Sequence, residues 1–233
     1  LYALMGDLPG RLRLDSWRDI ESRLPKITRM LNLRYSVRFL GKRRLDPRRL
    51  YSTEPGLESD KLGLVLYSML YRGYDAPIVT VLGYGGRLYI IDGHHRARAA
   101  LWLERLVDSY LIEARAYKPR ITMPLEKTPI INPPETVSEY VHVLRHIVNI
   151  IYFLEKSHGV RARVWRDVIR IEDLYATQPL SKPVREKWHE EMLPPLVYRW
   201  GREYYVVDGH TRVCSALLAG LEVVDAIVFT LNK

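Results

Sequence analysis

The chain of 233 residues contains one cysteine, one glutamine and no long hydrophobic run. A lone cysteine, Cys214, excludes an internal disulfide and a cysteine-based zinc site. No apolar stretch reaches the roughly 18 residues that a membrane span needs. The longest, around residues 148–154 (VNIIYFL), reads as a buried helix or strand. Low-complexity tracts are missing too, which argues against disorder. No signal peptide is visible, although the first residue is Leu rather than Met, and a cytoplasmic protein without a membrane partner is the expectation. Scarce amides beside plentiful Arg, Glu and Tyr point to a thermophile.

Hydrophobic residues make up 47% of the chain, enough for a substantial core. The formal net charge is +9, from 36 Lys+Arg against 27 Asp+Glu. That balance suits nucleic acid, but it equally suits a nucleotide or another phosphorylated ligand.

The sequence repeats itself. Residues 90–103 (IIDGHHRARAALWL) and 206–221 (VVDGHTRVCSALLAGL) each run a β-branched strand through Asp-Gly-His into a helix. Upstream of each lies a Leu-Tyr-x-Thr box, YSTEP at 51–55 and YATQP at 175–179. A strand starting at Pro and a Gly-containing turn follow, and each unit closes on a strand, 106–117 and 222–229. Helical lead-ins precede both. Residues 15–32 place Trp17, Ile20, Leu24, Ile27 and Leu31 near one face, with Asp15 or Ser16 as cap and Pro25 as a kink or break. Residues 136–156 lead into the second unit. The proline-rich stretch between them reads as a linker. The expected organisation is therefore α+β, with a unit over 1–120, a linker over 121–135 and a second unit over 136–233.

A strand–Asp-Gly–helix turn suits anions. Asp92 can cap the helix, and Gly93 lets backbone come close to a ligand. Free amides at the helix start favour phosphate, and His94, His95 and Arg96 add donors. Three plainer readings compete: an ordinary cap, a metal pair at His94 and His95, or an Arg96–Asp92 ion pair. Adjacent helical residues do not share a face, and no direct protein metal motif is present. The return of Asp, Gly, His and Arg as Asp208, Gly209, His210 and Arg212, with Thr211 between, favours the functional reading.

These residues resemble the ParB/sulfiredoxin superfamily, whose members place a Gly-x-x-Arg phosphate loop at a strand-to-helix turn. The resemblance covers most of both units and implies two tandem ParB/sulfiredoxin-like units, each a small mixed sheet with helices. Sulfiredoxins carry Gly-Cys-His-Arg in the loop, where this chain has His94 and His210. Chromosome-partitioning ParB proteins carry Gly-Glu-Arg-Arg and a following helix-turn-helix domain, and none is expected after a second unit that stops at Lys233. The Asp-Gly-His-His-Arg of Asp92 to Arg96 is most similar to the archaeal free L-serine kinases. That resemblance implies a catalytic Glu about 40 residues upstream, for which Glu54 stands at a comparable distance.

The implied activity is phosphoryl transfer from ATP or ADP with Mg²⁺ to a small hydroxyl-bearing substrate such as L-serine. Glu54 is then the general base, and the Gly93–Arg96 turn grips the phosphates. Asp92 caps the helix or helps hold Mg²⁺ through water. Ser52 and Thr53 contact phosphate or substrate, or merely cap a turn. Gln178 stands where the first unit has Glu54, and an amide cannot act as a base, so the second unit reads as a binding or structural partner. A ParB-like nucleotide- or DNA-binding protein is the alternative, supported by the basic stretch at 41–50 (GKRRLDPRRL), itself also readable as a solvated strand edge.

Overall fold

A computed structural model of the chain describes residues 12–134, 139–179 and 193–232. It is a mixed α+β structure whose backbone falls into two compact units, meeting in sequence between Val148 and Asn149.

The first unit opens with α1, Trp17–Asn32. Ser16 caps it in a reciprocal box: its hydroxyl accepts from Asp19 N, and Asp19 accepts from Ser16 N at 2.8 Å. Pro25 lies inside this helix and does not split it. Next come β1 (Arg38–Leu45), β2 (Leu50–Ser52), β3 (Leu57–Glu58) and α2 (Ser59–Tyr71). They are followed by β4 (Ile78–Leu82), β5 (Leu88–Asp92), α3 (His94–Trp102) and β6 (Val107–Glu113). Two short strands, β7 (Met123–Pro124) and β8 (Ile130–Ile131), close the unit.

The main sheet has the order β1-β6-β4-β5-β2-β7. Its strands alternate between two apolar layers, as a strand period of two dictates. Ile20 and Leu31 of α1 pack with Val79, Val81, Tyr110 and Ile112 on one face. Ala97, Ala100 and Leu101 of α3 pack with Ile78, Leu88, Ile90 and Leu111 on the other. Since both faces are covered, β4 and β5 read as nearly continuous hydrophobic runs.

The expected linker is not one. Residues 121–134 are built into the first unit: Met123 and Pro124 pair with Ser52 and Tyr51, and Ile130 and Ile131 pair with Leu57 and Glu58. Leu125 is buried in the α3 layer. Buried Arg98 of α3 donates through Nη1 to the Glu126 carbonyl at 2.9 Å. Two-residue ladders have no readable period, so prolines alone made the stretch look unstructured.

The next helix, α4 (Glu139–His158), starts in the first unit and continues past the boundary, so the division falls inside a helix rather than at residues 121–135. Gly63 of α2 lies against α4 so closely that a Cβ would sit 2.8 Å from the Leu144 backbone.

The second unit contains β9 (Arg161–Arg170), β10 (Leu174–Ala176), β11 (Leu196–Trp200), β12 (Glu203–Asp208), α5 (His210–Leu218) and β13 (Val223–Asn232). Its sheet order is β10-β12-β11-β13-β9. Read from the other edge, β9, β13, β11, β12 and β10 run in the order of β1, β6, β4, β5 and β2, and each neighbouring pair has the same sense. The helix expected between the second Thr box and β11 lies outside the described residues. Among the described residues no helix is long and apolar enough to cross a membrane.

Candidate functional site

The turn from β5 into α3 is made by Gly93, with φ 93° and ψ 30°. A Cβ there would meet Arg96 Nε and Ile78 Cγ2 at 2.7 Å, so both the sign of φ and the space demand glycine. The first intrahelical bond runs from Ala97 N to Gly93 O at 2.9 Å. The amides of His94, His95 and Arg96 precede it and have no acceptor within the helix.

Asp92 is not the cap. No side chain caps α3, because the left-handed glycine separates the strand-borne carboxylate from the helix start. Asp92 Oδ1 accepts from Arg96 Nη2 and Oδ2 from Arg23 Nη1, each at 3.1 Å. Arg96 is likewise not an open fork for phosphate. Its side chain is 5% exposed, and Nη1 lies 3.6 Å from Asp15 Oδ2. Its Nε has no hydrogen-bond partner among the described residues.

The two adjacent histidines face different ways, as helical neighbours must. His94 is buried, 3% exposed. Its Nε2 accepts from Thr53 N at 3.2 Å, while the Thr53 hydroxyl donates to the Ile90 carbonyl at 2.7 Å. The Thr53 hydroxyl oxygen also lies 3.1 Å from Nε2, and Nδ1 faces Glu54 Oε1 at 3.2 Å. His95 Nε2 accepts from Glu58 N at 3.1 Å. Burial, with the nearby Lys61 charge, pushes the His95 pKa down to about 3, so this imidazole is neutral at physiological pH.

Glu54 sits at the tip of the Thr box, its side chain 45% exposed. Burial opposes its ionisation, but the His94 hydrogen bond, with the nearby histidines and the Lys61 ammonium, outweighs burial and holds the carboxyl below its usual range. Its neighbours do not reach outward as expected. Ser52 is fully buried and its hydroxyl closes the turn onto Glu54 N and O at 3.1 Å. Thr53 spends both donors on His94 and Ile90.

Glu54, Asp92, Gly93, His94, His95 and Arg96 line one open cleft of about 90 Å³ together with Arg13, Asp15, Lys61 and Tyr74. Sequence reasoning missed Arg13, Lys61 and Tyr74. Lys61, two residues into α2, is near enough to Glu54 in sequence to have been a candidate. Arg13 and Tyr74 carried no local signal, since folding alone brings them to the loop.

The second unit builds the same cage. Thr177 N donates to His210 Nε2 at 3.2 Å, and the Thr177 hydroxyl donates to the Val206 carbonyl at 2.7 Å. The Gln178 amide lies 3.3 Å from His210 Nδ1, where Glu54 lies in the first unit. Gly209 repeats the left-handed turn at φ 89°. Thr211 occupies the position of His95. Arg212 differs from Arg96: its Nη1 donates to the Leu193 and Pro194 carbonyls at 2.8 and 2.7 Å, while Nη2 holds Asp208 at 2.5 Å.

Among the described residues no group of three or more His, Cys, Asp or Glu side chains could hold a metal ion. Asp92, the expected contributor to Mg²⁺, has both oxygens engaged by arginines, and Asp15 is paired with Arg23. Both cleft aspartates are therefore held by arginines rather than left for Mg²⁺.

No protein-family model matches the chain, and no curated protein matches it. Among solved structures, protein Atu1540 from Agrobacterium tumefaciens is similar over 34% of this chain and 42% of its own, at 19% identity and a TM-score of 0.29. The chain thus spans under half the length of that protein, and a likeness of this size carries no argument about fold or function.

Proposed function

We propose that the first unit is a nucleotide-dependent kinase that phosphorylates a hydroxyl of a small molecule such as a free amino acid. The supporting observation is that Glu54 and the start of α3 line one cleft. A base and an anion-binding helix terminus belong together in phosphoryl transfer, where positioning and charge stabilisation supply most of the rate. In this reading both units have the ParB/sulfiredoxin arrangement, which the matching strand order of the two sheets supports.

The amides of His94 and His95 meet the phosphates, and Lys61 adds positive charge from α2. The acceptor hydroxyl attacks the terminal phosphorus, the bond from phosphorus to the departing nucleotide oxygen breaks, and the hydroxyl proton passes to Glu54. Mg²⁺ would travel with the ATP or ADP phosphates, since Asp92 is already engaged by two arginines. Gln178 offers no base, so the chemistry belongs to the first unit.

The test is incubation of the protein with ATP or ADP, Mg²⁺ and a panel of hydroxyl compounds, with mass spectrometry of the products. A phosphorylated acceptor that disappears with Glu54→Gln is expected. No product from any pairing sinks the reading.

The alternative, a ParB-like nucleotide- or DNA-binding protein, drew on the basic stretch at 41–50. There Lys42 pairs with Glu21 at 3.3 Å, Arg44 with Asp108 at 3.7 Å and Arg48 with Asp46 at 2.6 Å. With three of its cations already facing acids, this stretch favours the alternative less. A gel shift with duplex DNA that weakens steeply with salt would restore it.

A further inference from the structure

We propose that Thr53 and His94 form a positioning pair: the two donors of Thr53 fix the His94 proton on Nδ1, and that N–H aims one oxygen of Glu54 so that the other is left for the substrate. The assignment rests on the kinase reading for its role in turnover, but its geometry stands apart from it.

Three contacts support the tautomer. The Thr53 hydroxyl has one hydrogen, and the Ile90 carbonyl takes it at 2.7 Å. The Thr53 backbone N–H then points at His94 Nε2 from 3.2 Å and opposes a proton there, although the Thr53 hydroxyl oxygen, 3.1 Å from Nε2, is an acceptor that the other tautomer would use. Glu54 Oε1, 3.2 Å from Nδ1, decides for a proton on Nδ1. A carboxylate receives that N–H well, whereas an imidazole bare at Nδ1 would repel it. His94 is 3% exposed, so water does not compete for the bond.

The second unit is an internal comparison. Thr177, Val206 and His210 repeat the two Thr bonds at 3.2 and 2.7 Å and the hydroxyl contact to Nε2 at 3.2 Å, so the same argument puts the His210 proton on Nδ1. Facing it is Gln178, placed with its amide nitrogen 3.3 Å from Nδ1; a proton there requires the amide turned over so that its oxygen meets that N–H. The pair is thus a local device of the Thr box and the strand-to-helix turn, independent of whether the residue it holds is charged. The groups that face Glu54 are His94 and His95 from α3 and Lys61 from α2.

The test is nitrogen-15 NMR of the whole protein with labelled histidine, joined to a carboxyl-carbon titration of Glu54. His94 and His210 are both expected as the Nδ1–H form at neutral pH, and Glu54 is expected to titrate below the ordinary 4.5. In Gln178→Glu the new carboxyl is expected to sit lower than an exposed glutamate. His94→Asn keeps a donor near the Nδ1 position and should keep Glu54 low. His94→Leu removes it and should return Glu54 toward or above 4.5. In kinetics the acid limb of the rate should move up with Glu54 in His94→Leu and stay in His94→Asn. An Nε2–H form of His94 in the unmodified protein, or an unshifted Glu54 in His94→Leu, overturns the assignment, and the unmodified protein is informative even where a variant fails to fold. Correct tautomers without any phosphorylated product would sink the kinase reading and leave the positioning pair standing.

Discussion

His94 and His95 are adjacent and alike in sequence, yet they lead to different predictions. His95 is neutral in the folded protein with a pKa of about 3 against 6.5 when free. The unfolded chain therefore takes up the proton first as pH falls. This contribution to stability is intact above 6.5 and is lost progressively below it. His95→Gln keeps an acceptor for Glu58 N without a titrating ring. Its urea midpoint is expected to depend less on pH between 6.5 and about 3 than that of the unmodified protein. Glu54 has the opposite charge but a shift of the same direction. Its His94 bond stabilises the fold above the ordinary carboxyl pKa and weakens as pH falls through the lowered one. Glu54→Gln should reduce turnover by about 10²–10⁴-fold, a typical general-base contribution, with nucleotide affinity by calorimetry nearly unchanged. Gly93→Ala combines a strained φ of 93° with a clash at 2.7 Å against Arg96. A loss of about 1–3 kcal/mol in thermal or denaturant unfolding is expected.

At the scale of elements, the junction of residues 121–134 with α3 is the feature least visible beforehand. Its prolines suggest an open tether, but its carbonyls are the acceptors that a buried cation needs. Arg98 is 1% exposed, bonds the Glu126 carbonyl at 2.9 Å and lies over the Trp102 ring at 5.1 Å. Arg98→Met keeps much of the length and removes the donors. It should cost about 1.5–3 kcal/mol, the usual worth of a hydrogen bond from a charged group, measurable by chemical denaturation. Strand β1 behaves as the basic sequence suggested for an edge: it lies at the rim of the sheet, and Arg38 and Arg44 reach Glu113 and Asp108 on the neighbouring strand β6.

At the scale of the whole molecule, the boundary inside α4 sets how the chain can be divided. Val141, Leu144, Ile147 and Val148 are buried, and Leu144 backbone lies against Gly63 of α2. A fragment ending at residue 134 would uncover that side of α2. It should unfold at a clearly lower temperature than one ending at residue 148, with equal melting temperatures as the contrary result. The repeated strand order also bears on the division of labour: two sheets of the same connectivity hold the same Thr–His cage, and the carboxylate is present in one of them.

Local chemistry determined the recurring pieces. β-Branched runs made the strands readable, Asp-Gly-His marked both helix starts, and Asp15 or Ser16 marked the start of α1, where Ser16 proved the cap, because each depends on residues a few positions apart. Glu54 against Gln178 was legible as a difference between two matched boxes. Tertiary structure decided the rest. Asp92 and Arg96 seemed to point at a ligand, and only the arrival of Arg23 and Asp15 from α1 and its lead-in turned them into a partly buried ion network. Ser52 and Thr53 seemed free to meet substrate; the Ser52 hydroxyl closes its own turn on Glu54, and only the position of β5 and α3 gave Thr53 nearer partners. The cleft exists because Arg13, Lys61 and Tyr74 converge on Gly93 from three separate segments. A polar side chain takes the partner that folding brings within hydrogen-bond reach, and sequence spacing encodes that partner only when it lies within the same turn.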